Sequence, residues 1–234
     1  MLEPEENATM IQIAEHLFRP SEIGVVDRVE RDAAGPVRRI SCCGLVRPAW
    51  MGASPRERID LLAATLLVST DPIPLSIRPG RRLWARARRL VRELRPEGAA
   101  FRLELDAVHP WEEDQNPTEI LWSVSAWGET LAVDVPGTAP APFCFELTAR
   151  DSLETPALSD GTRTIRWMGA MAAGDRLELD GTARTARLNG IPADALLVGD
   201  WPQAGPGNTT LRFEDDVDGS HCADIRIQWR NRWW

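Results

Sequence analysis

The chain has no tyrosine, only three histidines and only four cysteines in 234 residues, and each shortage removes a class of chemistry. A bound metal needs three or four converging ligands. His16, His109 and His221 stand far apart, no two at ligand spacing, and His221 beside Cys222 has no further ligand near it in sequence. Cys42 and Cys43 are adjacent and Cys144 and Cys222 are isolated, so no pair has the two-residue gap of a zinc knuckle or redox motif. Four reduced thiols in or near cores are expected. There is no nucleophile elbow and no phosphate loop: GPGN at 205–208 lacks the lysine and the following helix that cradle a phosphate. No enzyme, no cofactor and no metal site is therefore expected.

Long apolar runs are also missing. The longest, within DLLAATLLV at 60–68, is far too short to cross a bilayer. The N-terminal MLEPEENATM is acidic and lacks the basic-then-apolar order of a signal peptide, which points to a soluble protein made in a reducing cytoplasm. A basic excess is absent as well: 35 acidic residues outnumber 27 basic ones, giving a net charge of −8, the reverse of a free nucleic-acid binder. The acidic runs carry no chemistry of their own. Glu214-Asp215-Asp216-Val217-Asp218 lacks the glycine and distal glutamate of a calcium loop and reads as a solvated turn between strands. Glu112-Glu113-Asp114 reads as a polar turn rather than two carboxylates facing across a sugar.

What is present is ordinary globular composition, 43% hydrophobic and 26% charged, so most of the chain should fold. Ten tryptophans supply aromatic anchors for packing or interfaces. A strand leading into a turn is expected over 24–36, and a strand closed by Pro48 over 37–46. The clearest helix follows, over 54–69: Ser54 and Glu57 make a capping box, Pro55 occupies the first helical position, and Ile59, Leu62, Ala63 and Leu66 recur at helical spacing. Asp71-Pro72 should end it. The arginine-rich stretch RRLWARARRLVREL (81–94) is ambiguous: Leu83, Ala87, Leu90, Val91 and Leu94 fit a helix face, whereas strand alternation holds only over its first half. Its arginines suit a solvated or subunit-facing surface better than a nucleic-acid one. FRLELDAVHPW (101–111) alternates cleanly. After a turn-rich boundary at 110–117 come short alternating strands at 121–127, 143–149, 163–168, 175–180, 184–189, 209–214 and 223–229, most separated by Gly or Pro signals, which argue for an antiparallel β-sandwich. In the last of them Ala223, Ile225, Ile227 and Trp229 should face the core.

The C-terminal third then shows an ordered set of motifs. An Asn189-Gly190 turn is followed by Gly199-Asp200-Trp201-Pro202 and by Pro206-Gly207-Asn208. The strand TTLRF, a polar turn and the strand ADIRIQW come next, and Arg230-Asn231-Arg232-Trp233-Trp234 closes the chain. This resembles the phage distal tail protein family, in which a Pro-Gly-Asn turn precedes two final strands and the end is basic and aromatic. Upstream, the order of strand, capped helix, β-segment and FRLELDAVHPWEE is similar to that family's N-terminal domain, with Val108-His109 as a departure from its aspartate-proline turn. The resemblance implies strands over 81–94. It implies a mainly β (α+β) fold: an N-terminal split β-barrel with a helix over 1–117, and a galectin-like antiparallel β-sandwich over 118–234.

The function it implies is structural. Copies form a homohexameric ring at the virion tail tip that joins the tail tube protein to the tail hub or central fibre protein of the baseplate. DNA is met only in transit through the lumen, and no membrane is involved. The motif residues are Pro206, Gly207, Asn208, Trp229, Arg230, Arg232 and Trp233. The alternative is a carbohydrate-binding sandwich, with Trp201 as the glycan contact and Trp229, Trp233 and Trp234 as further candidates.

Overall fold

The computed structural model describes residues 10–33, 35–48, 53–217 and 221–234. Most of the N-terminal segment read for a signal peptide, and Asp218 of the acidic run, lie outside these residues. The chain divides into two compact units, Met1–Gln115 and Asn116–Trp234.

In the first unit the elements run β1 (Ile11–Ile13), β2 (His16–Phe18), β3 (Ile23–Asp32), β4 (Gly35–Val46), α1 (Pro55–Val68), β5 (Ile73–Ser76), β6 (Arg81–Arg95), β7 (Gly98–Ala107) and β8 (Glu112–Asp114). All pairings are antiparallel, in the order β2-β1-β5-β6-β7-β4-β3, with β8 beside the start of β6. One face of the sheet is apolar because alternate residues of its strands are: Ile40 and Cys42 on β4, Leu83 and Ala85 on β6, and Phe101, Leu103 and Leu105 on β7 are buried together with Ile59, Leu62 and Leu66 of α1. The helix opens as its sequence dictates. The Glu57 amide donates to Ser54 Oγ (3.2 Å) while Glu57 Oε2 accepts from the Ser54 amide (2.7 Å). That bonding holds the Glu57 carboxyl below its usual pKa. The helix stops at Val68, three residues before Asp71, with Ser69 already extended at φ −76°, ψ 113°.

The ambiguous arginine stretch is one long strand, β6. Its misleading periodicity has a physical source. The register with β7 shifts between Ala87 and Arg89, so Arg88 is an extra residue, a β-bulge. Leu83, Ala85 and Ala87 alternate before it, and Leu90 and Leu94 keep the opposite phase after it. Two runs of period two, offset by one residue, read as a helical spacing.

The carboxylates expected in a polar turn at 112–114 instead begin a short strand, and Glu112 is 2% exposed. It is tolerated because arginines come to it. Arg38, also 2% exposed, clasps Asp27 through two bonds of 2.8 and 2.6 Å. The same side chain donates to Glu112 Oε1 (3.1 Å) and to the Pro110 carbonyl (3.1 Å). Arg78 adds bonds to both carboxylates. Burial pushes the Asp27 carboxyl up, but the Arg38 and Arg78 guanidiniums outweigh it and hold the group below its usual pKa. This cluster ties the β3–β4 hairpin to the segment after β7.

The second unit runs β9 (Thr118–Val124), β10 (Thr130–Val135), β11 (Ala141–Pro142), β12 (Cys144–Ala149), β13 (Leu153–Glu154), β14 (Ala157–Ser159), β15 (Thr164–Trp167), β16 (Ala170–Met171), β17 (Arg176–Asp180), β18 (Thr185–Leu188), β19 (Ile191–Pro192), β20 (Leu197–Gly199), β21 (Gln203–Ala204), β22 (Gly207–Glu214), β23 (Ala223–Trp229) and β24 (Arg232–Trp233). It is the expected antiparallel sandwich: one sheet has the order β10-β22-β14-β15-β20, the other β19-β18-β17-β12-β23-β9. Inward residues of both, among them Val133, Phe145, Leu147, Leu211, Phe213, Ile225, Ile227 and Trp229, make one core. The strand expected over 121–127 ends early, at Val124. The Glu129 carboxylate accepts from the Ser125 amide (2.9 Å) and turns the chain there.

Replacing Arg38 by Met should leave Asp27 and Glu112 short of their main counter-charge and destabilise the N-terminal unit by roughly 3 kcal/mol, measured by urea unfolding. Because the Asp27 pKa is depressed on folding, its stabilisation is complete above the unfolded-state aspartate pKa. It is withdrawn as pH falls from there through the lower native value, and the variant should show less of this acid loss.

Candidate functional site

No cluster of three or more His, Cys, Asp or Glu side chains suited to a metal occurs among the described residues, and no helix there is long and apolar enough to cross a membrane. The Cys42 thiol is buried and pushed up to about 12, chiefly by that burial and then by Cys43, so it stays protonated and inert. His16 bonds Thr65 Oγ1 (3.1 Å), and His109 stacks on Trp111 at 4.8 Å. His221 pairs with Asp215. This corrects the solvated turn expected at 214–218: the Asp215 side chain is fully buried, and burial raises its pKa in spite of the imidazole. The pair fastens the start of β23 to the end of β22.

The C-terminal motif residues form a closing clasp on the sandwich. Asn189 and Gly190 both have positive φ (50° and 79°) and join β18 to β19. Gly199 ends β20, and the Asp200 amide bonds the Thr164 carbonyl (2.9 Å). Trp201 is half-buried against the core. At Pro206-Gly207 the glycine has φ 87° and turns the chain into β22. The local bond that steadies this turn comes from Thr209, whose hydroxyl accepts from the Gly205 amide (3.1 Å) and donates to its carbonyl (3.1 Å). Asn208 lies exposed in β22 opposite Asp134. Trp229 is buried, and its indole N–H donates to Asn231 Oδ1 (2.9 Å), itself only 4% exposed. The Arg232 carbonyl accepts from the amides of Thr138 (2.8 Å) and Ala139 (3.0 Å), and the Trp234 amide donates to Thr138 Oγ1 (2.9 Å). Arg230 and Trp233 are half-buried beside them.

The feature that sequence reading missed lies in the first unit. Strand β3 is paired only with β4, and β6 beyond Ala85 is paired only with β7, so the stretch β6-β7-β4-β3 has an open backbone edge at each end among the described residues. Apolar side chains sit at both ends: Val26 and Val29 are 51% and 53% exposed on β3, Val91 and Leu94 44% and 60% on β6. The signal was available in the valines of GVVDRVERD, but an edge is a property of topology and not of one strand's sequence. On the outward face of these strands Arg39 bonds Glu30 (2.7 Å) and approaches Asp106 (3.8 Å), and Arg89 stands opposite Glu104. That face therefore mixes both signs.

The Asn231→Ala variant strands the buried Trp229 indole N–H and should cost roughly 1–3 kcal/mol in the C-terminal unit; deletion of Arg230–Trp234 should cost more. Tryptophan fluorescence during urea unfolding checks both.

Residues 136–233 match the family described as siphovirus-type tail component, C-terminal domain. No curated protein matches the chain. Among solved structures it is similar to the Dit protein of SPP1, described as a paradigm of the hub adsorption apparatus in phages that infect Gram-positive bacteria. That likeness has a TM-score of 0.69 at 14% identity and covers 96% of this chain and 99% of that one. At such identity the structural likeness speaks for the fold, and the family match speaks for residues 136–233. Together they bear out the resemblance to phage distal tail proteins, the family match over residues 136–233 and the shared fold over most of the chain.

Proposed function

We propose that this chain is a structural distal tail protein whose copies close into a ring at the virion tail tip. The observation that carries this reading is the pair of unlike open edges on β3 and β6. Unpaired N–H and C=O groups along a strand are a template for another strand. Because the two edges differ, a contact between them is heterologous, and repetition of a heterologous contact closes into a ring when the rotation permits. Strand parity supports the same reading. The stretch holds four strands of alternating direction with the edges on its first and last, so copies related by rotation about a common axis bring β3 beside the next copy's β6 in antiparallel order. The sheet continues without a break in its hydrogen-bond pattern, and Val26, Val29, Val91 and Leu94 become cross-strand contacts.

Residues 1–117 would then form the ring and residues 118–234 the attached sandwich, closed by Pro206, Gly207, Asn208 and the Trp229–Trp233 segment. By the distal tail resemblance the ring has six copies, meets the tail tube protein on one face and the hub or central fibre protein on the other, and passes DNA through its lumen. If the outward face of β6-β7-β4-β3 lines that lumen, carboxylates such as Glu30, Glu104 and Asp106 among the arginines leave no continuous basic surface to grip phosphate. The work is geometric rather than catalytic.

Val26→Glu and Val91→Glu place charges on opposite edges of the same contact. Each should shift the full chain from multimer to monomer in sedimentation velocity, with circular dichroism unchanged. Leu121→Glu, on the exposed face of β9, should leave the assembly intact. Equal behaviour of all three would remove the edge contact from the account.

A further inference from the structure

The sandwich carries a second surface whose chemistry the ring does not use. Trp127 is 53% exposed in the turn between β9 and β10. An aromatic ring in a turn is ordinarily mobile, but the turn that carries this one is fixed by hydrogen bonds. The Glu129 carboxylate accepts from the amide and hydroxyl of Ser125 (2.9 and 3.3 Å), the Gly128 amide donates to the Phe213 carbonyl (3.0 Å), and the Phe213 amide to the Glu129 carbonyl (3.0 Å). The Arg212 guanidinium stacks on one face of the indole at 5.0 Å. Gly128 makes room for it: at φ 70°, a Cβ there would stand 3.0 Å from Arg212 Nη2. One face of the ring is thus occupied and the side chain is pre-set.

From Arg212 a line of charges crosses the outer face of the sheet. Arg212 bonds Glu214 (3.0 Å), Glu214 faces Arg166 (3.9 Å), and Arg166 bonds Asp216 (3.1 Å) and the Thr155 hydroxyl (3.2 Å). Small residues separate the long ones, since Ala157 stands between Glu214 and Arg166 in the register. Two guanidiniums and two carboxylates cancel, so the line attracts neither anions nor cations strongly. It does present fixed N–H donors and lone-pair acceptors side by side, with capacity left after their mutual bonds. Vicinal hydroxyls, each both donor and acceptor, complement such a row, and the apolar C–H face of a sugar ring complements the open side of an indole.

We infer that the Trp127–Arg212–Glu214–Arg166 row is a binding site for a neutral saccharide. The outer face of the opposite sheet has a comparable ion ladder, Arg176 with Glu146 (2.9 Å) and Glu178 (2.8 Å), but no exposed tryptophan on its strands among the described residues. Trp201, the glycan candidate of the sequence, packs half-buried on the core, and Trp229 is buried. Trp127 differs from both in having an exposed ring with a polar row beside it.

The test is an array of neutral oligosaccharides built from glucose, galactose and N-acetylhexosamines, probed with the full chain. The wild type should retain at least one of them. Trp127→Ala should weaken that binding about tenfold, Glu214→Gln should also weaken it, and Trp234→Ala should leave it unchanged. Thermal melts check that each variant folds. On the unsubstituted protein, titration with the retained sugar should move the Trp127 indole N–H resonance. Absence of wild-type binding to every neutral sugar, retention only of charged glycans, or binding that survives Trp127→Ala overturns the inference. None of these outcomes depends on ring formation.

Discussion

An unpaired strand edge is the constraint on which this protein's first unit turns. Backbone amides and carbonyls at an edge must find water or another strand, and proteins that remain single usually guard such edges with charge, proline or a bulge. Here the guarding is partial. Arginines at 86, 88, 89, 92 and 95 and the bulge at Arg88 discourage indiscriminate pairing along β6, while Val91 and Leu94 between them offer contact to a matching partner. A heterologous edge contact with the wrong rotation makes fibres, and with the right rotation a closed ring. Charge beside apolar side chains is a means of admitting one register and refusing others.

The edges are useful only if the sheet between them is stiff, and the rest of the unit supplies that. Helix α1, set by its capping box, covers one face of β4, β6 and β7 with Ile59, Leu62 and Leu66. The Arg38–Asp27–Glu112 cluster fastens the β3–β4 hairpin, and hence one edge, to Glu112, 74 residues beyond Arg38. In the sandwich the same economy recurs at the chain's end, where Asn231 satisfies the buried Trp229 indole and Arg232 bonds back to Thr138 and Ala139.

How much of this could be read from sequence depended on the range of the interaction. The helix was legible because Ser54, Pro55 and Glu57 act within one turn. Strand β23 was legible because its alternation is unbroken. Strand β6 was not legible from its residues, since one bulged arginine reverses the phase of an otherwise regular pattern; only the family resemblance identified it as a strand. Sequence alone places Glu112 and Asp215 in solvated turns, because a lone carboxylate belongs in water. Their burial depends on Arg38, Arg78 and His221, partners that local sequence cannot place beside them. Trp127 and Arg212 are 85 positions apart and meet only through the pairing of β10 with β22. The Pro-Gly turn at 206–207 is legible because it is local, with Gly207 at positive φ, whereas its steadying bond comes from Thr209.

The central claim is that copies of this chain join through β3 and β6 around a common axis. Negative-stain electron microscopy of the purified full-length protein addresses it most directly. Ring-shaped particles with a central hole and six-fold symmetry are expected. A field of solitary subunits at every concentration, or two-fold dimers without a hole, would contradict it.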